Sequence, residues 1–262
     1  MRSYLINLAR RPDRLAAMRA RATSLGLALE RVEAVDARIA DMAALDHWFE
    51  AGGPLGEIPK GDKACLLSHR AAWELFLGTG EAHGVFLEDD VRLSASAGAL
   101  LGSDNWIPPG LDVVKLEHYG PPGQRVLLTD MRRVGEDFAL GRMLSRHTGA
   151  AAYILSRAAA QTLLDQARFA LPVDHLLFNP NNSPLFAGLS PWQLVPAIAR
   201  QQEFVGAPSD IEQTRIGLRK FGAAYVAREL VRFGYDLKLL PQQLAALLKG
   251  ARLVAMKTAD PS

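Results

Sequence analysis

The sequence predicts an α/β protein with a mostly parallel central sheet flanked by helices, followed by a helical C-terminal region. Short apolar runs typical of buried strands recur along the chain, and helical stretches separate them. The chain contains no internal repeat that would indicate a solenoid. Strands that alternate with helices are typical of open parallel sheets, and such sheets bind ligands at the carboxyl ends of their strands.

The first forty residues predict a β-α-β unit. Residues 3–8, SYLINL, form an apolar run that predicts a buried strand. The Pro and Asp in the following RRPDRL suit a turn and the start of a helix over about 12–25. Gly26 ends that helix, and residues 29–37 alternate apolar and polar side chains like a second strand.

The middle of the chain continues the alternation after a Gly/Pro-rich loop. Residues 64–77 predict a strongly apolar helix, and 84–88 and 111–117 predict the third and fourth strands. The polar segment 120–137 is expected to form a loop or a hairpin, and 157–167 a further helix.

The bulk composition is that of an ordinary globular protein. Of the 262 residues, 49% are hydrophobic and 22% charged, and the formal net charge of +2 is too small to argue for nucleic acid as a partner. The single cysteine fits a reducing compartment. Neither a signal peptide nor an apolar run of about 18 residues is apparent, so we expect a cytoplasmic protein, free or peripheral on the inner face of the cytoplasmic membrane.

The last part of the chain differs in character from the rest. Residues 205–262 contain nine Lys/Arg and five Asp/Glu, a net charge of +4, within a Leu- and Ala-rich helical pattern. We therefore divide the chain into a domain at 1–204 and a basic amphipathic region at 205–262. That region suits contact with an anionic membrane, and a helical cap with a solvated basic face is an equal alternative.

An acidic run follows the third predicted strand in GVFLEDDVRL. Glu88 and Asp90 lie on one side of an extended chain, and Asp89 points elsewhere or begins a turn. Clustered carboxylates repel each other, and a hard cation such as Mg²⁺ or Mn²⁺ neutralises them while leaving positions for phosphate oxygens. A solvated acidic turn is the alternative interpretation.

Three side chains early in the apolar helix are further candidates. Ser68 and His69 either contact a ligand or belong to the core, with a hydrogen-bonded buried histidine. Cys65 lies four residues before His69 and could meet it on one helix face, but a cysteine among apolar neighbours is more typical of inert core.

Charged residues elsewhere also have two interpretations. Asp174 in LPVDHLLF is either a helix N-cap or a general base. Arg10, Arg11 and Arg14 follow the first strand at the binding edge of the predicted sheet, where they contact an anion or are simply solvated. The chain has neither a phosphate-binding P-loop, nor a dinucleotide fingerprint, nor zinc-ligand spacing, which argues against those classes.

Eight blocks taken in order resemble glycosyltransferase family 25, whose members act in lipopolysaccharide and lipooligosaccharide synthesis. The blocks span roughly 3–202: YLINLARRPDRLAAM, RVEAVDA, ACLLSHRAAWE, VFLEDDV, DVVKLE, HTGAAAYILSRAAAQTLL, PVDHLLF and PWQLVPAIARQ. Each block alone is weakly specific, whereas eight in the same order are specific. Ala64 departs from the glycine more common there, and the last sixty residues match loosely.

The resemblance implies a GT-A-type fold, with a nucleotide-sugar half at about 1–118 and an acceptor half at about 119–204. It also implies an inverting transfer of galactose from UDP-galactose to a lipid-linked oligosaccharide acceptor, assisted by Mn²⁺ or Mg²⁺. An inverting displacement needs a base that takes the acceptor hydroxyl's proton.

The resemblance also implies roles for individual residues. Asp90 and Glu88 would hold the metal, and Asp174 would be the base, with Glu117 in reserve. Substrate contacts are expected from residues in the matched blocks: Asn7, Arg11, Arg14, Asp36, Ser68, His69, Glu88, Asp89, Thr148, Gly149 and Gln193.

Two other functions are compatible with the residues. A non-catalytic glycan- or nucleotide-binding module can share the fold of an enzyme. A metal-dependent phosphohydrolase would also use a carboxylate cluster, but the sequence offers neither a nucleophile nor further ligands beside it.

Overall fold

A computed structural model describes residues 1–121, 123–201 and 223–259. The strands are β1 (Arg2–Asn7), β2 (Leu29–Glu33), β3 (His83–Glu88), β4 (Val91–Leu93), β5 (Val113–Lys115), β6 (Glu117–His118), β7 (Arg125–Val134), β8 (Phe138–Met143), β9 (Ala152–Ser156), β10 (Trp192–Val195), β11 (Ala199–Gln201) and β12 (Arg252–Ala255). The helices are α1 (Pro12–Ser24), α2 (Met42–Asp46), α3 (Lys60–Leu77), α4 (Ala97–Leu101), α5 (Arg157–Leu164), α6 (Val173–Phe178), α7 (Phe186–Leu189) and α8 (Ala223–Leu248).

Nine of these strands form one central sheet in the order β12-β7-β8-β10-β5-β9-β3-β1-β2. The α/β class and the large central sheet are confirmed, as are the early strands and helices. The prediction of a mostly parallel sheet is wrong for the described strands. Three neighbouring pairs are parallel, namely β1 with β2, β1 with β3, and β5 with β10, and the other five are antiparallel.

The antiparallel pairs have two sources. The segment 120–137 contributes β7, which pairs with β8 as a hairpin at one side of the sheet. Strand β9 lies antiparallel between β3 and β5. A strand buried on both faces is a continuous apolar run whichever way it points, so its sequence does not reveal its direction.

Hydrophobic cores cover both faces of the sheet because side chains alternate along each strand. In β1, Tyr4 and Ile6 face a core that includes Trp73 of α3, whereas Leu5 faces another that includes Met18 of α1. The sheet therefore lies between helical layers, and the carboxyl ends of β1, β2 and β3 remain open to form a site.

The C-terminal region is only partly as predicted. Helix α8 lies within it, but residues 252–255 form strand β12, which pairs with β7 at the sheet edge, so the expectation of an entirely helical region is wrong. Residues 205–222 and 260–262 lie outside the described residues. Among the helices that the structure describes, none combines the length and apolar character that a membrane span requires.

Gly149 lies in the segment before β9 and has a backbone that favours glycine. Its φ is 89°, and a Cβ atom built there would lie 2.6 Å from Cγ of Tyr119. The Gly149 carbonyl accepts a hydrogen bond from the buried Lys115 ammonium. The positive φ and the close approach of the Tyr119 side chain both favour glycine at this position.

We predict that Gly149→Ala lowers the free energy of unfolding by about 1–3 kcal/mol, because it adds backbone strain and a steric overlap. Gly188→Ala is the matched control, since Gly188 lies in α7, where an added methyl group would meet no atom within 4 Å. Chemical denaturation of both variants measures the difference, and equal stability of the two would contradict the assignment.

Candidate functional site

A cavity of about 430 Å³ opens at the carboxyl ends of β1, β2 and β3. One wall consists of side chains that follow β1, the loop after β2 and the first turns of α3. The acidic run after β3 also lines the cavity, as do Tyr119, Gly149, Ala150 and Asp174. The structure thus places the site where the strand pattern predicts it.

The acidic run is held by residues that follow β1. Parallel pairing aligns Ile6 with Glu88, which brings Asn7 next to Asp89. Asn7 Nδ2 donates to Asp89 Oδ2 over 2.7 Å, and Arg14 Nη1 lies 3.1 Å from Asp89 Oδ1. The same Arg14 nitrogen lies 3.8 Å from Asp90 Oδ2. Two predicted substrate contacts, Asn7 and Arg14, therefore meet the predicted acidic cluster.

Asp90 is the least compensated carboxylate of the three. It is buried, and its Oδ1 accepts no hydrogen bond from the described residues. Burial, and next the charge of Glu88, raise the pKa of Asp90 well above its ordinary value, although Arg14 opposes this. A buried carboxylate beside two others fits a hard divalent cation, and Asp90 and Glu88 are the residues that would hold one.

Glu88 is held from behind by a buried chain of hydrogen bonds. His69 Nε2 lies 3.1 Å from Glu88 Oε1, His69 Nδ1 lies 2.7 Å from the Tyr153 hydroxyl, and Trp73 Nε1 donates to that hydroxyl over 2.9 Å. Burial lowers the pKa of His69 to about 3, so its ring is neutral at pH 7. Each polar group in this series of hydrogen bonds has a partner when the Tyr153 hydroxyl donates to His69 Nδ1 and His69 Nε2–H donates to Glu88.

This arrangement bears on Cys65. Its Sγ lies 3.7 Å from Glu88 Oε1, and the Cys65, His69 and Glu88 donor atoms lie within 4.8 Å of one another. A metal on His69 Nε2 would move the ring proton to Nδ1 and leave the buried Tyr153 hydroxyl without its acceptor. We therefore interpret Cys65 and His69 as hydrogen-bond partners that position Glu88.

The loop after β2 contributes Asp36 to the cavity. Arg10 Nε donates to Asp36 Oδ2 over 2.7 Å, and the Arg38 amide donates to Oδ1 over 3.0 Å. Partial burial raises the pKa of Asp36, but the Arg38 amide and the Arg10 guanidinium together lower it below its ordinary value. Ser68 Oγ accepts from the Val35 amide over 2.9 Å, so this residue positions the loop.

Asp174 also lines the cavity. It lies in the first turn of α6, whose N-cap is Pro172, so the alternative of an Asp174 N-cap is wrong. The Gly149 amide donates to Asp174 Oδ2 over 3.5 Å, which places two predicted site residues side by side. Asp174 is half-buried and lines the same cavity as the acidic run.

Glu117, the reserve candidate for the base, does not line the cavity. It is fully buried, accepts from Lys115 Nζ over 2.7 Å and accepts from the Ala151 amide over 3.0 Å. Burial raises the pKa of Glu117, and Lys115 opposes that rise. Its contacts indicate a structural role behind the site.

Five other predicted residues also lie outside the cavity lining, namely Asn7, Arg11, His69, Thr148 and Gln193. Asn7 and His69 contact the acidic run, as described above. Gln193 Oε1 is 2.8 Å from His147 Nδ1, and His147 Nε2 accepts from the Tyr119 amide over 3.1 Å, so Gln193 supports the lining residue Tyr119 indirectly. Arg11 pairs with Asp13 at the start of α1. Thr148 is half-buried, and the structure does not bring it into the lining.

Several lining residues are not among the predicted substrate contacts. Arg10, Arg38 and Lys60 add positive charge beside Arg14, and Tyr119 adds an aromatic surface. Helix α3 begins at Lys60 after Pro59, which makes no side-chain cap, so the first amides of the helix favour an anion there. The signal for Lys60 is its place after the Gly/Pro-rich loop, where the chain turns into a long helix.

Comparison with known proteins supports one family. Residues 1–177 match the family described as "Glycosyltransferase family 25 (LPS biosynthesis protein)". Lacto-N-neotetraose biosynthesis glycosyltransferase LgtB of Neisseria gonorrhoeae is 32% identical, over 77% of this chain and 75% of that protein. LgtE of the same organism is 28% identical, over 75% and 78%.

A third similarity is shorter. "Inactive glycosyltransferase 25 family member 3" of Mus musculus is 35% identical over 96 residues, which are 34% of this chain and 16% of that protein. The family match, by contrast, spans well over half of the chain and includes the acidic run, the α3 residues and Asp174. The protein therefore belongs to glycosyltransferase family 25, and it is a glycosyltransferase.

Proposed function

We propose that the protein is an inverting, metal-dependent transferase of GT-A type that moves galactose from UDP-galactose onto a lipooligosaccharide or lipopolysaccharide core glycan. One observation carries the proposal: the buried carboxylate of Asp90, with one oxygen that accepts from no described donor, lines a cavity that three arginines and a lysine also line. The Neisseria relatives are described as lacto-N-neotetraose biosynthesis glycosyltransferases, which supports a glycan acceptor.

The donor diphosphate suits the basic side of the cavity. Arg10, Arg14, Arg38 and Lys60 line it together with the start of α3. Guanidinium groups bind phosphate oxygens in a bidentate manner, and helix amides add to this. Asp90 and Glu88 would hold Mn²⁺ or Mg²⁺ beside them, and the bound cation would stabilise the negative charge that develops on the leaving UDP.

The acceptor suits the opposite side of the cavity. Asp174 lines the cavity and is half-buried, so its carboxylate can take the proton of an incoming hydroxyl. Attack from this side displaces UDP from the other face of the sugar carbon and inverts its configuration. Glu117 is sequestered by Lys115, which favours Asp174 as the base.

A lipid-linked acceptor would place the enzyme on the inner face of the cytoplasmic membrane. A non-catalytic module is the second candidate, because one relative over a third of the chain is described as inactive. The transferase and the non-catalytic module can be distinguished by experiment, since the module would bind nucleotide sugar without turning it over.

The donor can be identified by thermal denaturation with a panel of nucleotide sugars, each with and without Mn²⁺. A ligand that binds only the folded state raises the melting temperature. We expect the largest rise with UDP-galactose plus Mn²⁺, and transfer or slow hydrolysis of that donor. Binding without any turnover, across a panel of glycan acceptors, would favour the non-catalytic module.

We predict that Asp90→Asn lowers kcat/KM at least about 100-fold, because losing about 3 kcal/mol of transition-state stabilisation costs two orders of magnitude. Without metal, the variant should be at least as stable as the wild type, since it removes repulsion with Glu88 and Asp89. Asp137→Asn is the control, because Asp137 is exposed in the β7–β8 turn. Normal metal-dependent turnover of folded Asp90→Asn protein would refute the site.

For the base, we expect Asp174→Asn to lower kcat by about 10²- to 10⁴-fold while donor binding is retained. Kinetics with a soluble glycan acceptor give kcat, and the thermal shift with UDP and Mn²⁺ reports donor binding. Glu117→Gln serves as the comparison, with a loss of stability as its main effect. A larger kcat loss in a stably folded Glu117→Gln protein would reverse the assignment.

A further inference from the structure

Helix α8 carries a row of exposed leucines. Five of them are between 39% and 91% exposed: Leu237, Leu240, Leu244, Leu247 and Leu248. At 100° per residue they fall within an arc of about 100° on the helix surface, which makes one continuous apolar face. We name these five residues the leucine face.

The other side of α8 faces the protein. Gln243 Nε2 donates to the Leu144 carbonyl over 2.9 Å, and Leu239 and Ala246 are half-buried. The helix is thus attached by one side and presents the leucine face outward. Leu253 of the edge strand β12 is also exposed. Contiguous exposed apolar surface of this kind marks an interaction site.

The charged residues between positions 237 and 259 are all basic. Lys238, Lys249, Arg252 and Lys257 are exposed, and no acidic residue occurs between positions 237 and 259. An apolar face flanked by basic residues matches the interface of a bilayer that contains anionic lipid. Leucines enter the acyl boundary while lysines and arginines meet the headgroups.

We propose that the leucine face of α8, with its basic flank, is a docking surface for an anionic lipid bilayer. This proposal rests on the proposed function for the role of the surface, because docking on a bilayer would bring the enzyme to a lipid-linked acceptor. Binding itself depends on α8 and β12 and requires neither donor nor acceptor.

A second copy of the chain is a weaker match for this surface. Pairing two leucine faces by a twofold axis would bring both basic flanks together without an acidic residue from 237–259 to neutralise them. An anionic bilayer supplies the missing charge. The charge pattern therefore favours lipid over self-association.

The test is co-sedimentation of the full chain with phosphatidylcholine vesicles and with vesicles that also contain phosphatidylglycerol. We expect binding to the anionic vesicles, weakened by high salt. Leu244→Glu should weaken it at least about tenfold, because burial of one leucine corresponds to about that factor in affinity. Leu75→Glu is the matched control, since Leu75 of α3 is 46% exposed and lies outside the leucine face.

Three results would overturn the proposal: the wild type does not bind anionic vesicles, Leu75→Glu weakens binding as much as Leu244→Glu, or Leu244→Glu instead abolishes a dimer seen by sedimentation without lipid. Melting temperatures establish that both variants are folded. Activity on a soluble acceptor separates this proposal from the proposed function. Leu244→Glu should keep that activity, whereas an inactive wild type would refute the transferase proposal and leave the vesicle result standing.

Discussion

The site depends on one constraint, the clustering of three consecutive carboxylates at the end of β3, of which Asp89 and Asp90 are buried and Glu88 is half-buried. Each carboxylate loses hydration and repels its neighbours, so the fold must supply positive charge or hydrogen-bond donors. Asn7 and Arg14 are hydrogen-bonded to Asp89, and His69 is hydrogen-bonded to Glu88. Asp90 retains an oxygen without a donor among the described residues, which leaves a cation as the natural partner.

The hydrogen bonds that support this cluster involve buried residues of both α3 and β9. The chain that ends on Glu88 begins at Trp73 in α3 and passes through Tyr153 in β9. Strand β9 is the antiparallel strand between β3 and β5, so the element that breaks the parallel pattern also fixes the acidic cluster. Local hydrogen bonds in the site are therefore coupled to the strand order of the whole sheet.

Sequence patterns identify the site's location better than its shape. The acidic run, the first β-α-β unit and Asp174 follow from strand ends and helix starts, which are local features. The direction of β9 depends on long-range pairing that its apolar sequence does not encode. Glu117 and Gln193 lie in matched blocks, but their side chains point into the interior. There Glu117 is hydrogen-bonded to Lys115, and Gln193 to His147. Strand β12 is not predicted, because the Leu- and Ala-rich sequence before it has a helical pattern that gives no sign of a strand.

Lys115 explains how two nearby acids come to have different roles. Its ammonium binds Glu117 and the Gly149 carbonyl, and it lies 4.4 Å from the centroid of the Phe178 ring in α6. A buried ammonium requires such partners, and removal of Glu117 would leave the Lys115 charge uncompensated. The Gly149 carbonyl binds Lys115, and the Gly149 amide donates to Asp174, so Lys115 helps to order the segment beside the proposed base. Lys115 thus holds Glu117 in the interior, whereas Asp174 lines the cavity.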